Sequence, residues 1–234
     1  MIPCWVCRLG LIPYQEATAL QRRLVELRFQ DRIDDIVLLL EHPPTITLGR
    51  FGQAGNILHP SAELEQRGIE VCQSDRGGDV TFHCPGQLVL YPIINLRARG
   101  SELRRYLYNL EEVALSALAG YGISAARWSE HPGIWVEGRQ IGAIGLRFSR
   151  GISMHGLALN VSPDLESFKV INLCGLPGKA ATSMTQLLRR DIKLEDVAQA
   201  VEEAFSAIFE VELETISAEQ VLVDSLAAEP ASLV

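Results

Sequence analysis

The sequence predicts an α/β fold, a single domain in which a mixed, mostly antiparallel sheet is packed with helices. Three observations carry that expectation. Apolar residues recur at helical spacing over 13–28, 101–119 and 194–209, one stripe per segment. Short apolar or alternating runs lie between them, and from 123 to 161 glycines and prolines break these runs about every ten residues, as in a meander. No linker-like stretch or internal repeat divides the 234 residues, a length within reach of one α/β domain.

Taken in order, 4–9 reads as an opening strand. Pro13 suits the first turn of a helix over 13–28, with Ala17, Leu20, Leu24 and Leu27 on one face. Residues 35–41 form an apolar strand that His42-Pro43-Pro44 breaks, and 45–49 resumes as a second. Ser61 is placed to cap a short helix to about 67, and 69–72 is a strand. Ser101 caps the next helix, and Gly120 and Gly122 end it. Strands follow near 123–127, 133–136, 140–148 and 153–161, then a helical turn at 164–168, helices at 182–189 and 194–209, and a last strand at 211–214. The expected catalytic domain is 1–217, and the small residues and Ala-Glu-Pro-Ala-Ser of 218–234 read as a poorly ordered tail.

Composition narrows the class. A hydrophobic content of 47% and a charged content of 21% are ordinary for a globular chain. No apolar run approaches the ~20 residues of a membrane helix, and the amino terminus lacks the pattern of a signal peptide. The expectation is a cytoplasmic protein with no membrane association. A formal charge of −8 argues against nucleic acid as the main partner. Cys4 and Cys7 form a C-x-x-C with no second pair at zinc-ribbon spacing, so strand alternation explains them and no metal is expected.

The chain is organised around Ser74 to Asn95. Arg76-Gly77-Gly78 joins a guanidinium to two residues that tolerate φ > 0 or a close backbone. Asp79-Val80-Thr81-Phe82-His83 is rich in strand formers. The run from Leu88 to Ile94 is nearly continuous apolar, as in a strand covered on both faces. These residues suit a cleft wall, but spacing alone favours a hairpin turn with Arg76 exposed and His83 satisfied in the core. Gly138-Arg139-Gln140-Ile141-Gly142-Ala143-Ile144-Gly145 is a strand whose small residues leave room for a ligand or another backbone, and His155-Gly156-Leu157-Ala158-Leu159-Asn160 is a second segment that stands out. Cys174 differs from the other cysteines in lying in a loop, where a thiol next to a base or a positive field becomes a nucleophile. His83 and His155 are the candidate bases.

The signature R-G-G-D-V-T-F-H-C-P-G-Q-L-V-x-Y-P-I resembles that of bacterial octanoyltransferases, the lipoyl(octanoyl) transferases of lipoate biosynthesis. Glu41-His42-Pro43-Pro44, Thr47-Leu48-Gly49-Arg50, Gly133-Ile134-Trp135-Val136, Ile141 to Gly145, His155 to Val161 and Cys174-Gly175 agree in order, over about residues 5 to 210. The resemblance implies a fold of the biotin and lipoate protein ligase type and no cofactor. It implies transfer of octanoyl from octanoyl-acyl carrier protein to the cysteine matched by Cys174. From there the chain passes to a lysine on lipoyl domains of 2-oxoacid dehydrogenases or the glycine cleavage H protein. The substrate-lining positions implied are Arg76, Gly77, Gly78, Asp79, Val80, Thr81, Phe82 and His83, then Ala143, Ile144 and Gly145, then Gly156, Leu157 and Ala158. Gln140 stands where the family pattern has an activating lysine, and an amide neither moves a proton nor carries charge at neutral pH. His83, Lys169 or Lys179 are the candidate replacements. Two other readings follow: a non-catalytic or weakly active acyl-binding relative, and an ATP-dependent lipoate-protein ligase. An acidic carrier calls for a basic rim, with Arg97, Arg99, Arg104, Arg105, Arg147 and Arg150 as candidates.

Overall fold

The computed structural model describes residues 2–100, 102–128 and 131–221. Strand β1 (Ile2–Leu11) leads into helix α1 (Tyr14–Phe29), then β2 (Asp35–Glu41) and β3 (Thr45–Leu48). Helix α2 (Ser61–Gln66), β4 (Glu70–Gln73), β5 (Val80–His83) and β6 (Gln87–Ile93) follow. Helix α3 (Leu103–Gly120) precedes β7 (Ala126–Trp128), β8 (His131–Val136), β9 (Arg139–Ser149) and β10 (Ile152–Asn160). The chain closes with α4 (Met184–Leu188), α5 (Leu194–Phe209) and β11 (Val211–Thr215).

Eight strands form one sheet in the order β11-β1-β2-β6-β10-β9-β8-β7, and three form a second in the order β4-β3-β5. The pairs β1–β11, β1–β2 and β3–β4 are parallel and the rest antiparallel, as the meander pattern predicts. The period of two along the central strands sorts side chains onto two faces. Val37, Leu39, Leu88, Leu90, Leu157 and Leu159 meet α3 and α5. Ile36, Leu38, Leu40, Val89, Tyr91 and Ile93 meet α1 on the other face. All of β6 is buried, matching its continuous apolar run. Cys4 and Cys7, three positions apart in β1, fall in opposite cores, as strand alternation requires. The small sheet has its own core of Ile46, Leu48, Leu64, Val80, Phe82 and Phe168.

Two expected caps differ. Ser61 is the first residue of α2 rather than its cap: Pro60 occupies the N-cap, and no side chain accepts there. The cap of α3 is Glu102, and Ser101 lies outside the described residues. Ser183 does cap α4, accepting from the Gln186 amide at 3.2 Å. Val221 is buried against the α1 core, and 222–234 lies outside the described residues. Among the described residues no helix is long and apolar enough to cross a membrane.

Candidate active site

Arg76 is buried, with 7% of its surface exposed, so the hairpin reading with an exposed arginine does not hold. Its Nε donates to Thr47 Oγ1 at 3.0 Å, Nη1 to the Gly77 carbonyl at 3.0 Å, and Nη2 to the carbonyls of Thr47 and Asp79 at 2.6 and 2.8 Å. Every acceptor is neutral, and no carboxylate forms an ion pair with it among the described residues. Glycine is required around this group by sterics. A Cβ on Gly49 would lie 2.4 Å from the Gly78 carbonyl oxygen, and one on Gly145 would lie 3.0 Å from Arg76 Cδ.

Arg76 forms part of the wall of a cavity of about 440 Å³ at the junction of the two sheets. The cavity gathers Arg76 to Thr81, His83, Ala143 to Gly145, Gly156 to Ala158 and Cys174 from separate parts of the chain. Phe82 is not in its lining: alternation along β5 turns it into the small-sheet core, where it meets Phe168 edge-on with ring centroids 5.3 Å apart. The apolar remainder comes from Leu146 and Phe148 on β9 and from Leu103 and Leu107 on α3, which sequence reasoning did not place at the site. Arg104 adds an exposed cation at the same helix end.

Cys174 lies in a single 3-10 turn, Leu173–Gly175, rather than an open loop. Its own φ of 54° is left-handed, an uncommon conformation for a residue with a Cβ. It is half-buried, whereas Cys4, Cys7, Cys72 and Cys84 are buried. Gln140 is held in place by its backbone, which accepts from Thr182 and donates to Ala180, both at 2.9 Å. Its side-chain Nε2 donates to Cys174 Sγ at 3.2 Å, and the thiol faces Oε1 at 3.6 Å. Burial pushes the Cys174 thiol above its ordinary pKa; the Gln140 hydrogen bond and the Arg76 charge act against that, and the Asp79 carboxylate adds to it.

Residues 13–206 match the lipoyl protein ligase A/B catalytic domain. An octanoyltransferase of Desulforamulus reducens is 41% identical over 213 residues, 91% of this chain and 93% of that one. One from Rubrobacter xylanophilus is 48% identical over 201 residues, 85% and 90% of the two chains. The chain belongs to the octanoyltransferase family. Among solved structures, lipoate-protein ligase A bound with ATP superposes with a TM-score of 0.76 at 14% identity, covering 97% of this chain and 96% of that one. A biotin protein ligase from Aquifex aeolicus gives 0.51 at 12% identity over 90% and 70%. At these identities the likeness shows the fold, and it is the biotin and lipoate ligase fold.

In this octanoyltransferase-family site, neither candidate lysine replaces the amide. Lys169 pairs with Glu166 at 2.6 Å on the surface, and Lys179 Nζ lies 4.5 Å from the Trp128 ring centroid. Neither lines the cavity. The histidines form a buried stack instead. Tyr14 lies parallel to His83 and to His155, with centroids 5.8 and 6.4 Å away.

The protonation of each ring follows from its partners. A carbonyl only accepts, so His42 Nδ1 donates to Ile12 O at 2.7 Å, and Nε2 accepts from the Tyr91 hydroxyl at 2.9 Å. The Thr182 carbonyl likewise orients Asn160, whose Nδ2 donates to it at 3.0 Å. Asn160 Oδ1 then accepts from Gln87 Nε2 at 2.9 Å, which turns Gln87 Oε1 toward His83 Nδ1 at 2.7 Å. His83 therefore carries its proton on Nδ1 and keeps a lone pair on Nε2, which has no hydrogen-bond partner among the described residues. Burial holds its pKa well below the ordinary value, so the ring is neutral. His155 Nε2 donates to Asp75 at 2.7 Å. Asp75 also pairs with Arg22 and Arg147, and its carboxyl is held well below the usual range, first by the His155 hydrogen bond. Sequence reading did not single out Tyr14, Asp75 or Gln87; only the proximity of Asp75 to Arg76 in the chain pointed to it.

Proposed function

We propose that this chain transfers octanoyl from octanoyl-acyl carrier protein to a lysine of lipoyl domains, through a thioester on Cys174. The observation that carries the reading is the half-buried Cys174 at the wall of a largely apolar cavity. An eight-carbon chain fits such a lining, and each methylene taken from water contributes about 0.8 kcal/mol. In the first step Cys174 Sγ bonds to the thioester carbonyl carbon and the carrier's sulfur leaves, taking up the proton that Cys174 loses. In the second, a deprotonated lysine ε-amine bonds to the same carbon and Cys174 leaves with the proton the amine sheds. Splitting the transfer through a covalent intermediate makes each step easier. His83, neutral with a lone pair on Nε2, is the group suited to relay that proton from the amine to the departing Cys174 sulfur.

One solved structure of the same fold is an archaeal bi-partite lipoate protein ligase with its E2 lipoyl domain; by analogy the acceptor is a lipoyl domain of a 2-oxoacid dehydrogenase or of the glycine cleavage H protein. For the acidic carrier, Arg104 at the cavity edge is the suited contact. Arg99 is occupied by Asp35 at 2.6 Å and Arg150 by Glu26. The neutral Gln140 beside a thiol of raised pKa favours slow transfer over rapid transfer. Incubation with octanoyl-acyl carrier protein and a lipoyl domain, followed by intact-mass analysis with and without ATP, tests the reading. Octanoyl on Cys174 and then on the acceptor, without ATP, supports it. No acylation points to the acyl-binding relative, and strict ATP dependence to the ligase.

A further inference from the structure

Cys174 reacts as a thiolate, and its hydrogen-bonding partner Gln140 carries no charge. The cavity nevertheless holds a permanent cation that forms no ion pair among the described residues, although the Asp79 carboxylate lines the same cavity. Arg76 is 7% exposed and its guanidinium meets only carbonyl and hydroxyl oxygens. A buried cation left without a counter-ion is costly, and one retained beside a reacting centre acts on charge that develops there. Two features hold it. Thr47 accepts through both its hydroxyl and its carbonyl. Gly49 leaves the space that Nη1 fills: a Cβ there would come within 2.9 Å of it. The Asp79 carboxylate makes no ion pair with the guanidinium: its oxygens accept from the Val80 and Gln53 amides at 2.7 and 3.0 Å and from Asn56 Nδ2 at 2.8 Å, and its charge acts on both Arg76 and Cys174.

Resting on the Cys174 reading, we propose that Arg76 is the positioning charge of this site: its fixed positive field stabilises the Cys174 thiolate and the oxyanion formed when that thiolate adds to the thioester carbonyl. Arg76 exchanges no proton. As the Sγ–C bond forms, the carbonyl π pair moves onto oxygen; the pair returns as the carrier's sulfur departs, and the guanidinium charge is unchanged throughout. Arg76 opposes the burial that raises the thiol pKa.

The test reads the thiol rather than the transfer. In the natural protein, Cys174 alkylation by anionic iodoacetate and by neutral iodoacetamide is followed by mass in about 0.5 M salt, where the exposed Arg104 is screened. A local positive field raises the iodoacetate-to-iodoacetamide rate ratio several-fold above that of a free thiol. A ratio at or below the free-thiol value overturns the proposal, and this arm needs no variant to fold. In Arg76→Gln the ratio falls to the free-thiol value and the apparent thiol pKa rises by about one unit, a tenfold slower alkylation below it. Adding Gln140→Lys to that variant lowers the pKa again, which loss of packing alone would not permit. An Arg76→Gln protein that melts cooperatively yet alkylates with the natural pH profile and ratio overturns the assignment. Loss of the Cys174 thioester in the intact protein would instead sink the acyl-enzyme reading, whatever the Arg76 result.

Discussion

Cys174 and Gln140 are 34 positions apart in sequence and meet side chain to side chain, the Gln140 amide donating to Sγ at 3.2 Å. Burial raises the thiol pKa, and an amide lowers it less than a cation would. In Gln140→Lys the thiol therefore titrates at lower pH, and alkylation at pH 7 accelerates about tenfold for each unit of depression. An unchanged rate in a folded Gln140→Lys protein would mean that another group already sets the thiol pKa. Much of this was legible in the chain. Cys174 stood apart from four strand or turn cysteines, and Gln140 stood out against the family pattern. The burial of Arg76, the role of Asp75 and the tautomers of the histidines were not legible. They depend on long-range partners, such as Thr47 for Arg76 and Asn160 for Gln87, that no local spacing specifies.

At the scale of elements, the cavity depends on close contact between β6 and β10. A Cβ on Gly156 would lie 2.1 Å from the Leu90 carbonyl oxygen across the ladder. Gly156→Ala therefore forces the strands apart and destabilises the fold by about 1–3 kcal/mol, as overpacking does, with a matching shift of the denaturant midpoint. A variant as stable as the natural chain would show that β10 slides freely past β6. Strand and helix positions were legible because apolar periodicity reports burial directly; β2 and α5 coincide with their expected limits. The contribution of α3 to the cavity was not. Leu103 and Leu107 belong to the helix's apolar pattern, and spacing does not say that its first turns line the cavity while later turns pack on α5. Phe82 shows the converse: a contiguous motif on a strand sends alternate side chains to opposite faces.

Across the whole molecule, the buried histidines tie stability to pH. Burial holds His42 down to about 4, against an unfolded value near 6.5. Between those values the unfolded chain binds a proton that the folded chain refuses, so stability rises with pH through this window and is lost as pH falls. His42 alone contributes roughly 3 kcal/mol to that loss. His83 and His155 act in the same direction. Asp75, depressed in the folded state, adds a further loss below about pH 4, its unfolded value. Denaturant midpoints at pH 7 and pH 5 should differ clearly, and a His42→Gln protein should show a smaller difference; equal midpoints in the natural chain would contradict neutral buried rings. The central claim is that Cys174 carries the acyl chain. Its most direct test is intact mass with peptide mapping after exposure to octanoyl-acyl carrier protein, for the natural chain, Cys174→Ala and Cys84→Ser. The account predicts one octanoyl group on the peptide containing Cys174 in the natural and Cys84→Ser proteins, and none in Cys174→Ala. A thioester that persists in folded Cys174→Ala would contradict it.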